Sequence, residues 1–444
     1  MSIRNLMIVI LVLAMPGIAL PAAEPAKTEV KIAPPLAGLP SKPGPHIEQI
    51  KALGDNAWLK LPETAADPNC PSWGGKSYGR SWTPKAAYVS ELGGAFITGE
   101  GAHCGTDNKT GYYGDDVWFY DLYANRWIAL YPGTHIPSFD GKLKSGELTI
   151  DDAGIIHEKT GMPVPAGTMS GHAGFLLDYD KAQRKFFWPG STCGWLTGGL
   201  KAPYEAAVAA QGKKKAATGI WLYDVATGKF EYQAYAGLPY KGTCFNFLQY
   251  VPSTGAVLDC DLKGQDWWLD LKAGTVKKVK AGGDRPAAGS AYGSCYDSKR
   301  DRVYVWGAAD YGIAKDKWVP EDHFFYYDVK AGNWVKPKAK NSPALGNFGW
   351  GRWMMEYDSV NDRVMVMYII HGLAKEDRKI HVYNADANEF EPPIPVTDEQ
   401  LPTGFGHSFF CPELNAYFIH RAGGDNQTGN TWVWRYKRAP EARK

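Results

Sequence analysis

After its first two dozen residues the chain has no long uninterrupted apolar run, so no membrane-crossing helix is expected downstream. It has no surplus of either charge, with 49 basic residues against 47 acidic ones, and no basic block of the kind that grips nucleic acid. Cysteine is sparse: Cys70, Cys104, Cys193, Cys244, Cys260, Cys295 and Cys411. None belongs to a CxxC pair, which argues against a sequence-local zinc site, and the odd number leaves at least one thiol unpaired within the chain. Long helical periodicities are scarce, which argues against a helical bundle. What the chain does have is turn and strand material: 50 glycines, 25 tyrosines and 17 tryptophans. That is the composition of an all-β protein with many turns.

The start of the chain has a separate character. One positive side chain, Arg4, precedes an apolar stretch from Leu6 to Leu20, and Ala19, Ala22 and Ala23 offer cleavage sites. This order predicts a signal peptide over residues 1–23 and a secreted or periplasmic protein, with no membrane span once the signal is removed. Residues 24–50 are rich in Pro, Ala and Lys and read as a flexible leader. Residues 51–440 read as a single domain.

That domain is organised by a repeated phrase. A residue at a strand end, usually tyrosine, is followed by an acidic or polar residue, a turn, and a bulky residue seven positions after the first. Tyr120-Asp121 leads to Trp127, Tyr223-Asp224 to Phe230, Leu269-Asp270 to Val276, Tyr327-Asp328 to Trp334, and Tyr383-Asn384 to Phe390. A hairpin-like phrase precedes each, as in "GHAGFLLDYDKAQRKFFWPG" from Gly171. The two phrases together make a four-stranded unit that recurs six times. Such a unit cannot bury both faces alone, but six or seven set radially can, which predicts a β-propeller. Six blades is the count, and seven the alternative if residues 134–166 conceal a degenerate unit. The last unit lacks its outer strand, whereas the orphan "NAWLKLP" (Asn56 to Pro62) resembles one. Pairing it with Trp432–Tyr436 would close the ring and hide both sheet edges.

The pattern resembles the kelch repeat, including galactose oxidase-like propellers. The resemblance rests on the Tyr-x6-Trp spacing at Tyr120 and Tyr327 and on its aromatic variants. The paired glycine that follows the second strand in this family survives at Gly423-Gly424 and is degraded elsewhere. The resemblance implies a rigid scaffold that binds proteins or carries a site at its axis. A copper-radical oxidase is one such implied alternative, but the additional C-terminal domain of that family is not expected here.

Labelling the strands of a blade a to d from the axis outward, the a–b and c–d turns are short and the insertions fall in b–c and d–a connections. These insertions are therefore expected to decorate one face, where binding and catalysis concentrate. The starts of the a strands open on that face near the axis. They supply His172, Cys244, Asn246, Ser290, Tyr292, Trp350, Arg352, Trp353 and His407, and His103 is expected to overhang them. Elimination at a uronate needs a base, an acid for the leaving oxygen and a partner for the carboxylate. His172, His407, Tyr292 and Arg352 are the catalytic candidates, and His103, Asn246, Trp350 and Trp353 the binding candidates. In residue type and placement the set is similar to propeller polysaccharide lyases of the ulvan lyase type. The partner expected at the loop-rich face is an anionic polysaccharide, with a protein partner as the alternative. No cofactor is specified, although Asp107, Asp115 and Asp116 have the chemistry to hold calcium.

Overall fold

A computed structural model describes residues 32–439 except 81–82, 100–104, 169–175, 191–192, 194–197, 236–246, 261–264, 287–292, 307–323, 344–352, 369–377 and 424–426. The repeated phrase becomes a pair of antiparallel strands whose register is set by its own residues. Tyr120 lies opposite Trp127, Tyr223 opposite Phe230, Leu269 opposite Val276, Tyr327 opposite Trp334, and Tyr383 opposite Phe390. The polar residue after the tyrosine, or after Leu269 in blade three, is a turn cap. Asp180, Asp224, Asp270, Asp297, Asp358 and Asn384 each accept hydrogen bonds from the backbone N–H groups two and three residues on. The turns then end on left-handed residues, mostly glycine, asparagine or aspartate, such as Asn125, Gly228, Gly274, Gly332 and Asn388. Those residue types tolerate that conformation and match the twist of the flanking strands.

Six sheets result. Their innermost strands are Ala87–Val89, Asp178–Asp180, Phe247–Val251, Gly293–Asp297, Trp353–Asp358 and Phe405–Cys411. Each touches the next, and the sixth returns to the first, so the sheets form a closed six-bladed β-propeller. The sixth blade is completed by Ala57–Lys60, which pairs antiparallel with Trp432–Arg435 and places Trp58 opposite Trp434. Ring closure by the orphan segment is therefore observed. Residues 134–166 form no seventh blade; they hold a helix, α2 (Ile136–Ser145), and a two-stranded hairpin, Leu148–Ile150 with Ile156–Glu158.

One expectation is corrected. From Ile32 onward the segment read as a flexible leader is packed. Leu36 and Leu39 are buried, and helix α1 (His46–Ala52) buries Ile47 and Ile50 in the core shared by blades one, two and six. The Nε2 of His46 makes a 2.8 Å hydrogen bond with the Leu122 carbonyl. Composition hid this because apolar residues spaced among prolines bury only through tertiary contact. Among the described residues no helix is long and apolar enough to cross a membrane.

Candidate functional site

The insertions do gather. Tyr113 from blade one, Phe139 and Leu143 from α2, Ile150 and Ile156 from the hairpin, and Leu200, Tyr204 and Val208 from or beside α3 (Lys201–Ala210) share one satellite core. Thus b–c insertions of blades one and two and the d–a connection between them build a single raised structure. Asp115 anchors its base. Its carboxylate accepts from the Thr134 N–H at 2.7 Å, the Thr134 hydroxyl at 2.6 Å and the Gly167 N–H at 2.5 Å. Burial nonetheless pushes its carboxyl up to about 7 against those bonds.

Between α2 and the outer strand of blade one lies a cleft of about 260 Å³. Tyr112, Tyr131 and Phe230 give it aromatic surface, and His135, Ser138, Lys142 and Glu158 give it polar groups. His135 Nδ1 and Ser138 Oγ are 2.8 Å apart, and the His135 ring sits 5.0 Å from that of Tyr112. Gly133 turns the chain at φ +91°, where a Cβ would come 2.3 Å from the Tyr113 carbonyl oxygen. Only glycine lets the blade lie flat against the loop at that point. Lys142 is exposed and has no ion-pair partner among the described residues.

A second concavity, of about 250 Å³, lies on the axis. All six blades line it: Lys85 and Tyr88, Asp178, Gln249, Ser294 with Tyr296, Glu356 with Tyr357, and Phe410. Ser298, Ser359 and Pro412, at the a–b turns, also line it, so this part of the channel opens on the face opposite the insertions. Four of its polar groups form one network. Lys85 Nζ stands 3.2 Å from Asp178 Oδ2, Gln249 Nε2 donates to Asp178 at 2.6 Å, and Ser294 Oγ donates to Gln249 Oε1 at 3.3 Å. Glu356 is partly exposed as a residue, yet its Oε1 is sealed from solvent with no hydrogen-bond partner among the described residues. Burial pushes its carboxyl up to about 8, Lys85 opposing and Asp178 adding to the rise.

Of the sequence candidates, His103, His172, Asn246, Tyr292, Trp350 and Arg352 lie outside the described residues, and of Trp353 only its place at the start of an inner strand is described. His407 is described, and it does not open onto an axial funnel. It is 2% exposed, between blades six and one, with its ring 5.2 Å from His420 and 5.9 Å from Trp127. Neither ring nitrogen has a hydrogen-bond partner among the described residues. Strand residues alternate between two faces, and here the histidine falls on the one that packs against the neighbouring blade. The calcium candidates also separate: Asp115 holds the satellite loop, Asp116 pairs with Arg80, and Asp107 caps its own turn through the Lys109 N–H and Thr110 hydroxyl and also accepts from the distant Trp73 N–H. Among the described residues no group of three His, Cys, Asp or Glu side chains gathers in metal-holding geometry. The five described cysteines are free.

The placement of His407 has a measurable consequence. Burial holds it well below the usual imidazole range, and holds His420 down at about 3. A histidine depressed in the folded state contributes stability that is full above about pH 6.5 and is lost as pH falls, because the unfolded chain takes up the proton first. The raised carboxyls of Glu356 and Asp115 act in the opposite direction, so the informative quantity is a difference. Relative to wild type, His407→Phe is expected to gain up to about 1.4 kcal/mol per pH unit between pH 6.5 and 4. Urea unfolding of both proteins across that range checks it, and parallel pH profiles would show that His407 is accessible and titrates normally.

Sequence reasoning missed the axial residues. The signal is the residue just before the inner-strand tyrosine: Asp178 before Tyr179, Gln249 before Tyr250, Glu356 before Tyr357. A polar residue recurring at one register position of a buried strand is a mark of a lined channel.

No protein-family model matches the chain, and no curated protein does. A search of solved structures returns the "Crystal Structure of Mitotic Checkpoint Complex", 9% identical, covering 96% of this chain and 99% of that one at a TM-score of 0.40. That similarity is too loose to bear on function.

Proposed function

We propose that this β-propeller is an exported, kelch-like protein that binds an anionic polysaccharide on its insertion-bearing face. The observation that carries this reading is the cleft beside α2, where an aromatic wall, hydroxyls and an exposed ammonium line one concavity. Sugar rings offer an apolar C–H face and a rim of hydroxyls, so they need a flat aromatic surface with polar groups at its edge. Tyr112 and Tyr131 supply the first, Ser138, His135 and Glu158 the second. Lys142 suits a uronate carboxylate. The signal-like order of residues 1–23 supports export, which a polymer too large to import requires. The reading is of binding: His407 is sealed inside the ring, and elimination would fall to His172, Tyr292 and Arg352.

Calorimetric titration with polygalacturonate, and with neutral dextran as control, tests the proposal. Polygalacturonate is expected to bind and dextran to bind more weakly, with affinity falling as salt is raised. Lys142→Ala is expected to weaken binding several-fold and to flatten the salt dependence. Tyr112→Ala is expected to cost about tenfold, equivalent to ~1.4 kcal/mol of stacking. Absence of affinity for every uronate polymer tried, or binding that survives both substitutions, overturns the reading. Growth of near-ultraviolet absorbance from an unsaturated product would extend it to elimination.

A further inference from the structure

We infer that the axial cavity on the face opposite the insertions is a binding site for a small organic cation, a primary ammonium group, received by Glu356 inside a collar of tyrosine and phenylalanine rings. This site is separate from the polysaccharide cleft, and neither proposal depends on the other.

Three observations converge. The first is charge. Lys85 and Asp178 already neutralise each other across 3.2 Å, Gln249 donates to Asp178, and Ser294 donates in turn to Gln249. Glu356 stands beside this closed network with Oε1 buried and unpartnered. A buried carboxyl with no cation of its own keeps its proton, which explains the direction of its shift. Among the described residues the site is thus one positive charge short. A ligand ammonium supplies that charge and gives Oε1 the donor it lacks.

The second is the collar. Tyr88, Tyr296, Tyr357 and Phe410 line the cavity. The tyrosine hydroxyls are spent outside it: Tyr88 donates to Glu413 at 2.6 Å, Tyr296 to Asp301 at 2.8 Å and Tyr357 to Asp362 at 2.9 Å. Asp362 is held in turn by Arg300 through two 2.7 Å contacts. What these residues offer the cavity is therefore ring rather than hydroxyl, and aromatic rings around a carboxylate favour organic cations over neutral solutes. The third is size. A space of about 250 Å³ accommodates a small aliphatic amine and its carbon chain.

Binding is coupled to one proton. The ammonium pairs with ionised Glu356, and the carboxyl proton leaves to solvent. Among the described residues the other titratable groups facing Glu356 are Lys85, Asp178, the Cys295 thiol and the Tyr417 hydroxyl, with Tyr88, Tyr296 and Tyr357 around the mouth. Burial pushes the Cys295 thiol and the Tyr417 hydroxyl well above their usual ranges, so neither ionises in the window where Glu356 does.

The probe is n-butylammonium, which like a lysine side chain stays charged to about pH 10, with 1-butanol as its neutral counterpart. Titration calorimetry of the full chain is expected to show one equivalent of n-butylammonium bound at pH 8, at least tenfold tighter than 1-butanol. Between pH 6 and 7.5 the affinity is expected to rise by about tenfold per pH unit, with one proton released per ligand. Glu356→Gln keeps the shape of the protonated side chain and should fold as wild type. It is expected to lose at least tenfold in affinity and all pH dependence. Glu356→Asp is expected to retain the pH dependence at lower affinity. Failure to bind at millimolar ligand, equal binding of 1-butanol, preferential binding of acetate, or n-butylammonium binding unchanged in Glu356→Gln would each overturn the inference.

Discussion

Deleting residues 32–62 is expected to abolish the cooperative folding transition and leave an aggregating chain. The segment contributes Leu36, Leu39, Ile47, Ile50 and Leu61, all buried, besides the strand that completes blade six. At ~1.5–3 kcal/mol for each fully buried apolar side chain, their loss amounts to about 7–15 kcal/mol. Total stability of a domain is of the same size, ~5–15 kcal/mol. The deletion also exposes the edge of Asn430–Arg435, whose backbone pairs in register with Ala57–Lys60, and an open edge recruits other chains. The tilted tryptophan contact at the seam goes too, since Trp58 and Trp434 have ring centroids 5.8 Å apart. Circular dichroism melting and size-exclusion chromatography read the outcome. A monomer that still melts cooperatively within about 10 °C of wild type would show that the ring closes without this strand. Leu61→Asp, which keeps the strand and charges its buried end, is expected to lower the melting temperature without removing the transition.

Asp116→Ala is expected to cost about 3–5 kcal/mol, because it strands a buried guanidinium. Arg80 and Asp116 are both wholly buried, 2.8 Å apart. Arg80 also donates to the Tyr78 hydroxyl at 2.9 Å and to the Gly99 carbonyl, and its guanidinium lies over the Tyr78 ring at 3.9 Å. Asp116 receives the Trp118 indole N–H and, through its backbone carbonyl, the Thr98 hydroxyl at 2.8 Å. The pair thus ties the segment entering blade one to the ends of its two middle strands, at the base of the insertion-bearing loops. Replacing both partners by apolar residues, Arg80→Met with Asp116→Leu, is expected to recover much of the loss, because no uncompensated charge remains. Urea unfolding of the two single variants and the double variant measures the coupling. A single-variant cost below about 1 kcal/mol would mean that water reaches the stranded group.

The sequence by itself determined the blade. Tyr120 and Trp127, or Tyr327 and Trp334, meet because a capped four-residue turn joins them, and every determinant of that turn lies within ten residues. Short-range chemistry of this kind is readable from one chain. Ring closure was also legible, because a missing strand at one end and a spare one at the other leave a single way to hide both edges. What only the tertiary structure decided was convergence. Lys85, Asp178, Gln249, Ser294 and Glu356 belong to five different blades and meet only after the ring has closed. Each alone reads as an ordinary strand residue. His407 shows the same limit from the other side: a one-residue step along a strand exchanges one face for the other, and neighbour packing decided that its ring meets Trp127 and His420. The segment from Ile32 to Ala52 looked like a tether because its few apolar residues have no periodic partner nearby. They are buried by blades one, two and six, brought together by closure of the ring, a surface that no local pattern in the sequence describes.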